Sequence, residues 1–255
     1  MTNTFILRIW RGQPGKQYWE EFELEKRPHL NIISCLMEIQ RNPVNRQGEQ
    51  VTPVAYESGC LEEVCGSCSM LINAKPRQAC TALIDQIIDE YESNVITVAP
   101  FTKFPLVRDL IVDRTRMFNN LKRVHAWVEA EGSHDAGFGP KIRPDKQEVM
   151  YTLAQCMTCG CCVEACPQVN ARSDFMGPQV VGQVRFFNLH PVAAFEKAKR
   201  LKEMMAPGGI AGCGNAQNCV KVCPKNIPLT DAIAAIGRDT TLQSIKNLFS
   251  LPEEE

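Results

Sequence analysis

The sequence predicts an α+β protein in two parts, a strand-rich domain over residues 1–105 and a mainly α-helical domain over residues 106–255. Three observations predict it. Apolar and polar residues alternate in the first hundred positions, the apolar period lengthens to that of a helix from Phe104 onward, and the cysteines gather in separate groups along the chain. A length of 255 residues leaves room for two ordinary domains, each with its own core.

Taken in order, Phe5, Leu7 and Ile9 alternate with Ile6, Arg8 and Trp10, and alternation returns from Trp19 to Leu24. Two strands joined by a hairpin around Gly12 to Gly15 follow from that pattern. Asn31 stands where it can cap a helix from Ile32 to about Arg41, with Ile32, Leu36 and Ile39 on one face and Pro43 as its stop. Gly59 to Cys68 reads as a loop, Ser69 to Ile72 as a short strand and Asn94 to Val98 as the last strand. Val107, Leu110, Ile111, Met117, Phe118, Leu121 and Val124 then fall on one amphipathic stripe, and Glu131 to Pro144 is broken by Gly and Pro into a loop. Further helices are expected at Lys146 to Gln155, Gln179 to Asn188, Val192 to Met205 and Leu229 to Phe249. Pro207, Gly208, Gly209, Gly212 and Gly214 loosen the segment before the final cysteine group.

Lys and Arg number 28 against 29 Asp and Glu, a formal net charge of -1, so no global field recruits nucleic acid or an anionic membrane surface. Met1 to Trp10 has no basic start, apolar core or small-residue cleavage site, so nothing is expected to direct the chain out of the cell. No apolar run reaches the roughly 18 residues of a spanning helix, so attachment to a membrane would come through another subunit. Thirteen cysteines, an odd number in a chain of this length, point to metal or redox chemistry and away from a disulfide framework.

Cys60, Cys65, Cys68 and Cys80 are separated by four, two and eleven residues. Four followed by two is the plant-type ferredoxin spacing for a [2Fe–2S] cluster, and Gly59 and Gly66 suit a loop whose amides approach cluster sulfurs. A structural zinc would ask for two CxxC-like pairs, and only Cys65 and Cys68 form one. Cys156, Cys159, Cys162 and Cys166 followed by Pro167 form the bacterial ferredoxin run, in which the fourth cysteine serves a second cluster. The partner run is Cys213, Cys219 and Cys223 followed by Pro224. Exchange of fourth ligands predicts a [4Fe–4S] set of Cys156, Cys159, Cys162 and Cys223, and leaves Cys166, Cys213 and Cys219 for the other cluster. That set is one thiolate short, because Ala216 stands where the run would place a cysteine; a [3Fe–4S] cluster is the simplest outcome, and a water-ligated four-iron cluster the alternative. Cys161 reads as a small packing residue and Cys35 as a buried, inert thiol. His29, His125, His134 and His190 show no metal spacing, no nucleotide-binding loop is present, and Lys197, Lys199, Arg200 and Lys202 read as a solvated helix face.

The order of a plant-type [2Fe–2S] ferredoxin (β-grasp) domain and a bacterial-ferredoxin-like domain with one defective site resembles the iron–sulfur subunit of succinate dehydrogenase and fumarate reductase. The resemblance extends to Arg41, Asn42 and Pro43, to Pro76–Thr81 around Cys80, to Phe104, Pro105, Val107, Arg108, Asp109 and Leu110, and to Cys156–Gly160 and Cys219–Pro228. It implies a complex in which an FAD-containing flavoprotein handles succinate and fumarate, with no catalytic residue on this chain. It further implies that electrons pass through [2Fe–2S], [4Fe–4S] and [3Fe–4S] clusters, and that a haem-containing membrane anchor subunit exchanges them with quinone. The wording is nearest the bacterial dihaem forms linked to menaquinone, which implies a peripheral place on the cytoplasmic face of the cell membrane. Fumarate reduction by the same wiring, or a free multi-cluster ferredoxin, are the alternatives. Ubiquinone-linked relatives carry a tryptophan pair where this chain has Asn170 and Ala171, and a histidine where it has Gly214, so no quinone-binding residue carries over.

Overall fold

The computed structural model describes residues 3–129 and 141–249. In chain order these form strands β1 (Thr4–Gln13) and β2 (Lys16–Glu25), helix α1 (Ile32–Arg41), strands β3 (Ser69–Ile72) and β4 (Lys75–Gln78), helix α2 (Ile84–Tyr91), strand β5 (Val95–Ala99) and the short strands β6 (Leu106–Arg108) and β7 (Ile111–Val112). Helices α3 (Thr115–Arg123), α4 (Pro144–Ala154), the single turn α5 (Cys161–Glu164), α6 (Pro178–Leu189), α7 (Lys197–Met205), the single turn α8 (Asn218–Lys221) and α9 (Leu229–Phe249) follow. They pack as two compact units, one of Met1–Arg114 with Met157–Ala165 and one of Thr115–Cys156 with Cys166–Glu255.

The first unit is built on a mixed sheet of order β2-β1-β5-β3-β4, in which β1 and β5 run parallel and the other neighbours antiparallel. Alternation along β1 buries Phe5, Leu7 and Ile9, and these join Phe22, Ile96 and Val98 with Ile32, Ile33, Leu36 and Ile39 of α1 in one core. Full burial of each large aliphatic or aromatic side chain contributes about 1.5–3 kcal/mol, so the sheet–helix interface is the principal source of stability here. Asn31 caps α1 as expected, its side chain accepting from Ser34 N at 2.8 Å. Cys35, on the buried face of α1, is fully enclosed and burial pushes its thiol up to about 12.

The β1–β2 hairpin closes tightly because Gly12 has φ +110°, and a Cβ there would lie 2.1 Å from Lys16 O. Beside it sits a buried ionic network. Arg11 donates to Glu20 Oε2 at 2.6 Å, to both Asp109 oxygens at 3.4 and 3.3 Å, and to Pro53 O at 3.2 Å. Asp109 also accepts from Gly12 N at 2.8 Å and Ala55 N at 2.9 Å, so one carboxylate ties the hairpin to the segment leading into the first cysteine loop.

Asp109 also accounts for a departure from the expected pattern. Val107, Leu110 and Ile111 fit a helical stripe, yet they lie in or between strands β6 and β7, because Asp109 adopts φ +47° to reach its partners and no α-helix passes through that conformation. Two elements carried too little signal to be expected. Edge strand β4 contains Pro76, and α2 is preceded by Leu83, whose side chain cannot cap it.

The second unit is helical, with α6 packed against α4, α9 and α3, and α7 against α9. Val180, Val181, Val184, Leu201, Met204 and Ile236 are among its buried residues. Pro144 and Pro178 open α4 and α6 within their first turn, where a missing N–H costs nothing. The expected helix from Val192 begins as a 3₁₀ turn at Ala193–Glu196 before α7. Arg200 corrects the solvated-face reading: it is fully buried and donates to the carbonyls of His125, Ala193 and Trp127. Most of the expected Glu131 to Pro144 loop, with His134, lies outside the described residues. Among the described residues no helix is long and apolar enough to cross a membrane.

Asp109→Asn keeps the shape and the tolerance of left-handed backbone but strips the charge facing Arg11, and is expected to destabilise the protein by about 3 kcal/mol, the scale for breaking a buried pair. Urea unfolding monitored by circular dichroism measures it, and a loss below about 1 kcal/mol would contradict the role given to the network.

Candidate metal centres

The first cysteine loop runs from Gly59 to Cys68 and lies wholly within the first unit. Left-handed residues Leu61, Glu63 and Gly66 curl it, and the curl turns amides inward. Cys60 Sγ accepts N–H bonds from Glu62 at 3.4 Å, Val64 at 3.2 Å and Cys65 at 3.3 Å, and Cys65 Sγ accepts one from Cys60 at 3.4 Å. The Cys60 N–H first, then Ser67, bring the Cys65 thiol down to about 6. Cys68 and Cys80 make the other half of the loop's sulfur set. They are buried and hydrogen-bonded to each other, and desolvation pushes the Cys68 thiol up to about 12. Four thiols are the donor set of an iron site, and here two are caged by amides and two enclosed, an arrangement that fits one.

Gly59 and Gly66 have the close surroundings expected of them. A Cβ on Gly59 would lie 3.1 Å from Cys65 Sγ, and one on Gly66, at φ +73°, would lie 2.9 Å from both Cα and Cβ of Cys159. Arg114 fixes the same stretch, donating to Gly66 O at 2.8 Å and Ser67 O at 3.1 Å. Nothing in the cysteine spacing singles out Arg114; it becomes visible only once the loop is folded.

The segment Met157–Ala165 belongs to the same unit and presents Cys159 and Cys162, each 8% exposed, around the single turn α5. Gly160 stands at its start with φ +89°, against Phe101 and Phe104. Glu164, almost fully buried, accepts from Thr102 N and Oγ1 and from Lys103 N, at 3.0, 2.6 and 3.1 Å, and so locks the turn in place. Cys161 is fully enclosed; its hydrogen bond to Cys159 holds the Cys159 thiol down to about 7 and raises its own. The remaining members of the predicted four-iron set, Cys156 and Cys223, are part of the second unit, where Cys223 Sγ accepts from Ile227 N at 3.4 Å.

In that second unit Cys166, Cys213 and Cys219 line one small cavity of about 20 Å³ together with Ala216. Burial raises the Cys219 thiol, and the neighbouring Cys166 and Cys213 raise it further, which is the behaviour of sulfurs crowded around a place for a cation. Left-handed Asn215 and Gln217 flank Ala216, so its methyl group stands in the cavity lining where a fourth sulfur would complete the set. Gly214 is tightly covered: a Cβ there would lie 2.4 Å from Gln168 Nε2.

Residues 6–119 match the family model of a 2Fe-2S iron-sulfur cluster binding domain, and residues 152–227 that of a 4Fe-4S dicluster domain. The chain is 56% identical over 248 residues to the succinate dehydrogenase iron-sulfur subunit of Bacillus subtilis, spanning 97% of this chain and 96% of that one. It is 30% identical over 245 residues to the fumarate reductase iron-sulfur subunit of Wolinella succinogenes, spanning 93% and 98%. The fold is shared with a chain of the Mycobacterium smegmatis Sdh1 complex in the apo form, at a TM-score of 0.80 and 21% identity over 96% of this chain and 98% of that chain.

Gly66→Ala is expected to open the first loop and lower iron and labile sulfide per chain, since the added methyl meets backbone that cannot yield. Gly48→Ala is the control: its φ is +82° with nothing within 4 Å, so it carries backbone strain of about 1 kcal/mol alone and should keep its iron. Equal iron contents in the two variants would contradict the steric account.

Proposed function

The chain belongs to the iron–sulfur subunits of succinate dehydrogenase and fumarate reductase, electron-transfer subunits of multi-subunit oxidoreductases that carry [2Fe–2S], [4Fe–4S] and [3Fe–4S] clusters, and from that premise we propose which residues and partners serve it. Residues 1–105 form the plant-type domain, with Cys60, Cys65, Cys68 and Cys80 binding [2Fe–2S]. Residues 106–255 form the helical domain, with Cys156, Cys159, Cys162 and Cys223 binding [4Fe–4S] and Cys166, Cys213 and Cys219 binding [3Fe–4S]. When bound, these clusters supply one-electron carriers; the protein's part is to orient sulfurs, exclude water and set the local field.

The amides around Cys60 and Cys65 stabilise negative charge on the sulfurs, and burial of Cys68 and Cys80 keeps solvent from them. The observation that carries the third assignment is a cavity whose lining brings together Cys166, Cys213, Cys219 and the methyl group of Ala216. The partners are an FAD-containing flavoprotein, a haem-containing membrane anchor and, beyond the anchor, menaquinone, with this chain peripheral on the cytoplasmic face of the cell membrane. Gln168 fills the space over Gly214, and Asn170 is engaged in a local turn, donating to Pro167 O and accepting from Arg172 N, which supports meeting the quinone on the anchor. Identity of 56% with a succinate dehydrogenase subunit against 30% with a fumarate reductase subunit favours succinate oxidation.

Mass spectrometry of partners purified with this chain from detergent-solubilised membranes tests the reading, with succinate-to-quinone and quinol-to-fumarate rates measured on the same material. A flavoprotein, a haem protein and a faster succinate-to-quinone rate are expected; absence of the flavoprotein would overturn it. Ala216→Cys is expected to convert the third cluster to a four-iron form, with loss of the EPR signal of the oxidised [3Fe–4S] state. Persistence of that signal would contradict the assignment.

A further inference from the structure

Gln78 belongs to no cysteine motif, yet it is 1% exposed and lies among the cluster loops. It ends β4 directly opposite Ser69 in the β3–β4 register, one residue after Cys68 on the facing strand. Its carboxamide is fully engaged there. Oε1 accepts from Cys68 Sγ at 3.4 Å, while Nε2 donates to Ser69 Oγ at 2.7 Å and to Cys161 Sγ at 3.6 Å. Ser69 Oγ in turn donates to Gly66 O at 2.7 Å. All of these residues lie in one compact unit, so a single buried amide touches a sulfur proposed to bind [2Fe–2S] and the sulfur next to Cys162 in the following loop.

A buried primary amide is costly unless every one of its polar atoms is used, and an apolar side chain would fill the same space without that penalty. The glutamine is therefore explained by its partners. A sulfur bound to iron has no proton to donate, so opposite a liganded Cys68 the amide oxygen would face an anion. Rotating the carboxamide by half a turn exchanges two groups of nearly equal shape: an N–H then points at Cys68 Sγ, and the oxygen accepts from the Ser69 hydroxyl, which turns from Gly66 O, an oxygen still served by Arg114 at 2.8 Å. An N–H donor to a cluster sulfur favours the reduced, more negative state.

We propose that Gln78 is a positioning residue that donates a hydrogen bond to the iron-bound sulfur of Cys68 and thereby raises the reduction potential of the [2Fe–2S] site. This deepens the function proposed above and rests on Cys68 being a ligand.

EPR-monitored redox titration of the intact membrane complex tests it with Gln78→Leu and Gln78→Glu. Both are expected to lower the [2Fe–2S] midpoint, Glu more than Leu because a carboxylate adds charge to the lost donor, with the [3Fe–4S] midpoint unmoved. A [2Fe–2S] midpoint that is unchanged or raised overturns the proposal. So does a shift of equal size at every cluster, which would report a general disturbance. If Gln78→Leu does not assemble, Gln78→Glu, nearly identical in shape, decides by the same criterion. Cys68→Ser in parallel separates the premise from the proposal: an unaltered [2Fe–2S] spectrum in that variant overturns the ligand assignment itself.

Discussion

A cysteine sulfur inside a protein is stable as an anion only where N–H groups or a metal cation face it, and the loops of this chain are shaped by that constraint. Cys60 satisfies it with three backbone donors, which is why its loop must pass through left-handed residues instead of an extended path. Cys68 lies at the opposite extreme, so enclosed that its sulfur depends on a cation. Cys219 reaches the same dependence by burial together with two neighbouring sulfurs. Sulfur atoms so arranged suit the iron that we propose they bind.

The holding is done largely by charged groups spent on backbone. Asp109 ties the hairpin to the strand of chain approaching Cys60, Arg114 clamps the carbonyls on either side of the Gly66–Ser67 bond, and Glu164 gathers the amides of residues 102 and 103. Arg200 does the equivalent in the helical unit by joining the carbonyls that follow α3 to the 3₁₀ turn before α7. Asp109, Glu164 and Arg200 are buried and Arg114 partly so, and charge-assisted bonds in such places are stronger and more directional than their exposed counterparts. Loops that must keep sulfur atoms in fixed positions gain rigidity this way without extra secondary structure.

The cysteines were readable from the sequence because iron coordination imposes spacing, and spacing survives in one dimension. The long helices were readable for a similar reason: α9 runs from Leu229 to Phe249, as its periodicity and starting Pro228 imply. Residues 107–112 were not, since Val107, Leu110 and Ile111 satisfy a helical stripe until the conformation of Asp109 is known. Arg200 looks solvated within a run of lysines, and only the carbonyls around it reveal a buried role. Gln78 leaves no trace in the cysteine spacing, a polar residue at the end of an edge strand containing proline, and its significance lies in which sulfurs the β3–β4 register brings to it.

Iron stoichiometry by environment is the most direct measurement of the whole account. Mössbauer spectroscopy of the ⁵⁷Fe-enriched complex should resolve three iron populations belonging to a two-iron, a four-iron and a three-iron cluster. A third population with the spectrum of a second four-iron cluster, or an iron content too low for three clusters per chain, would contradict it.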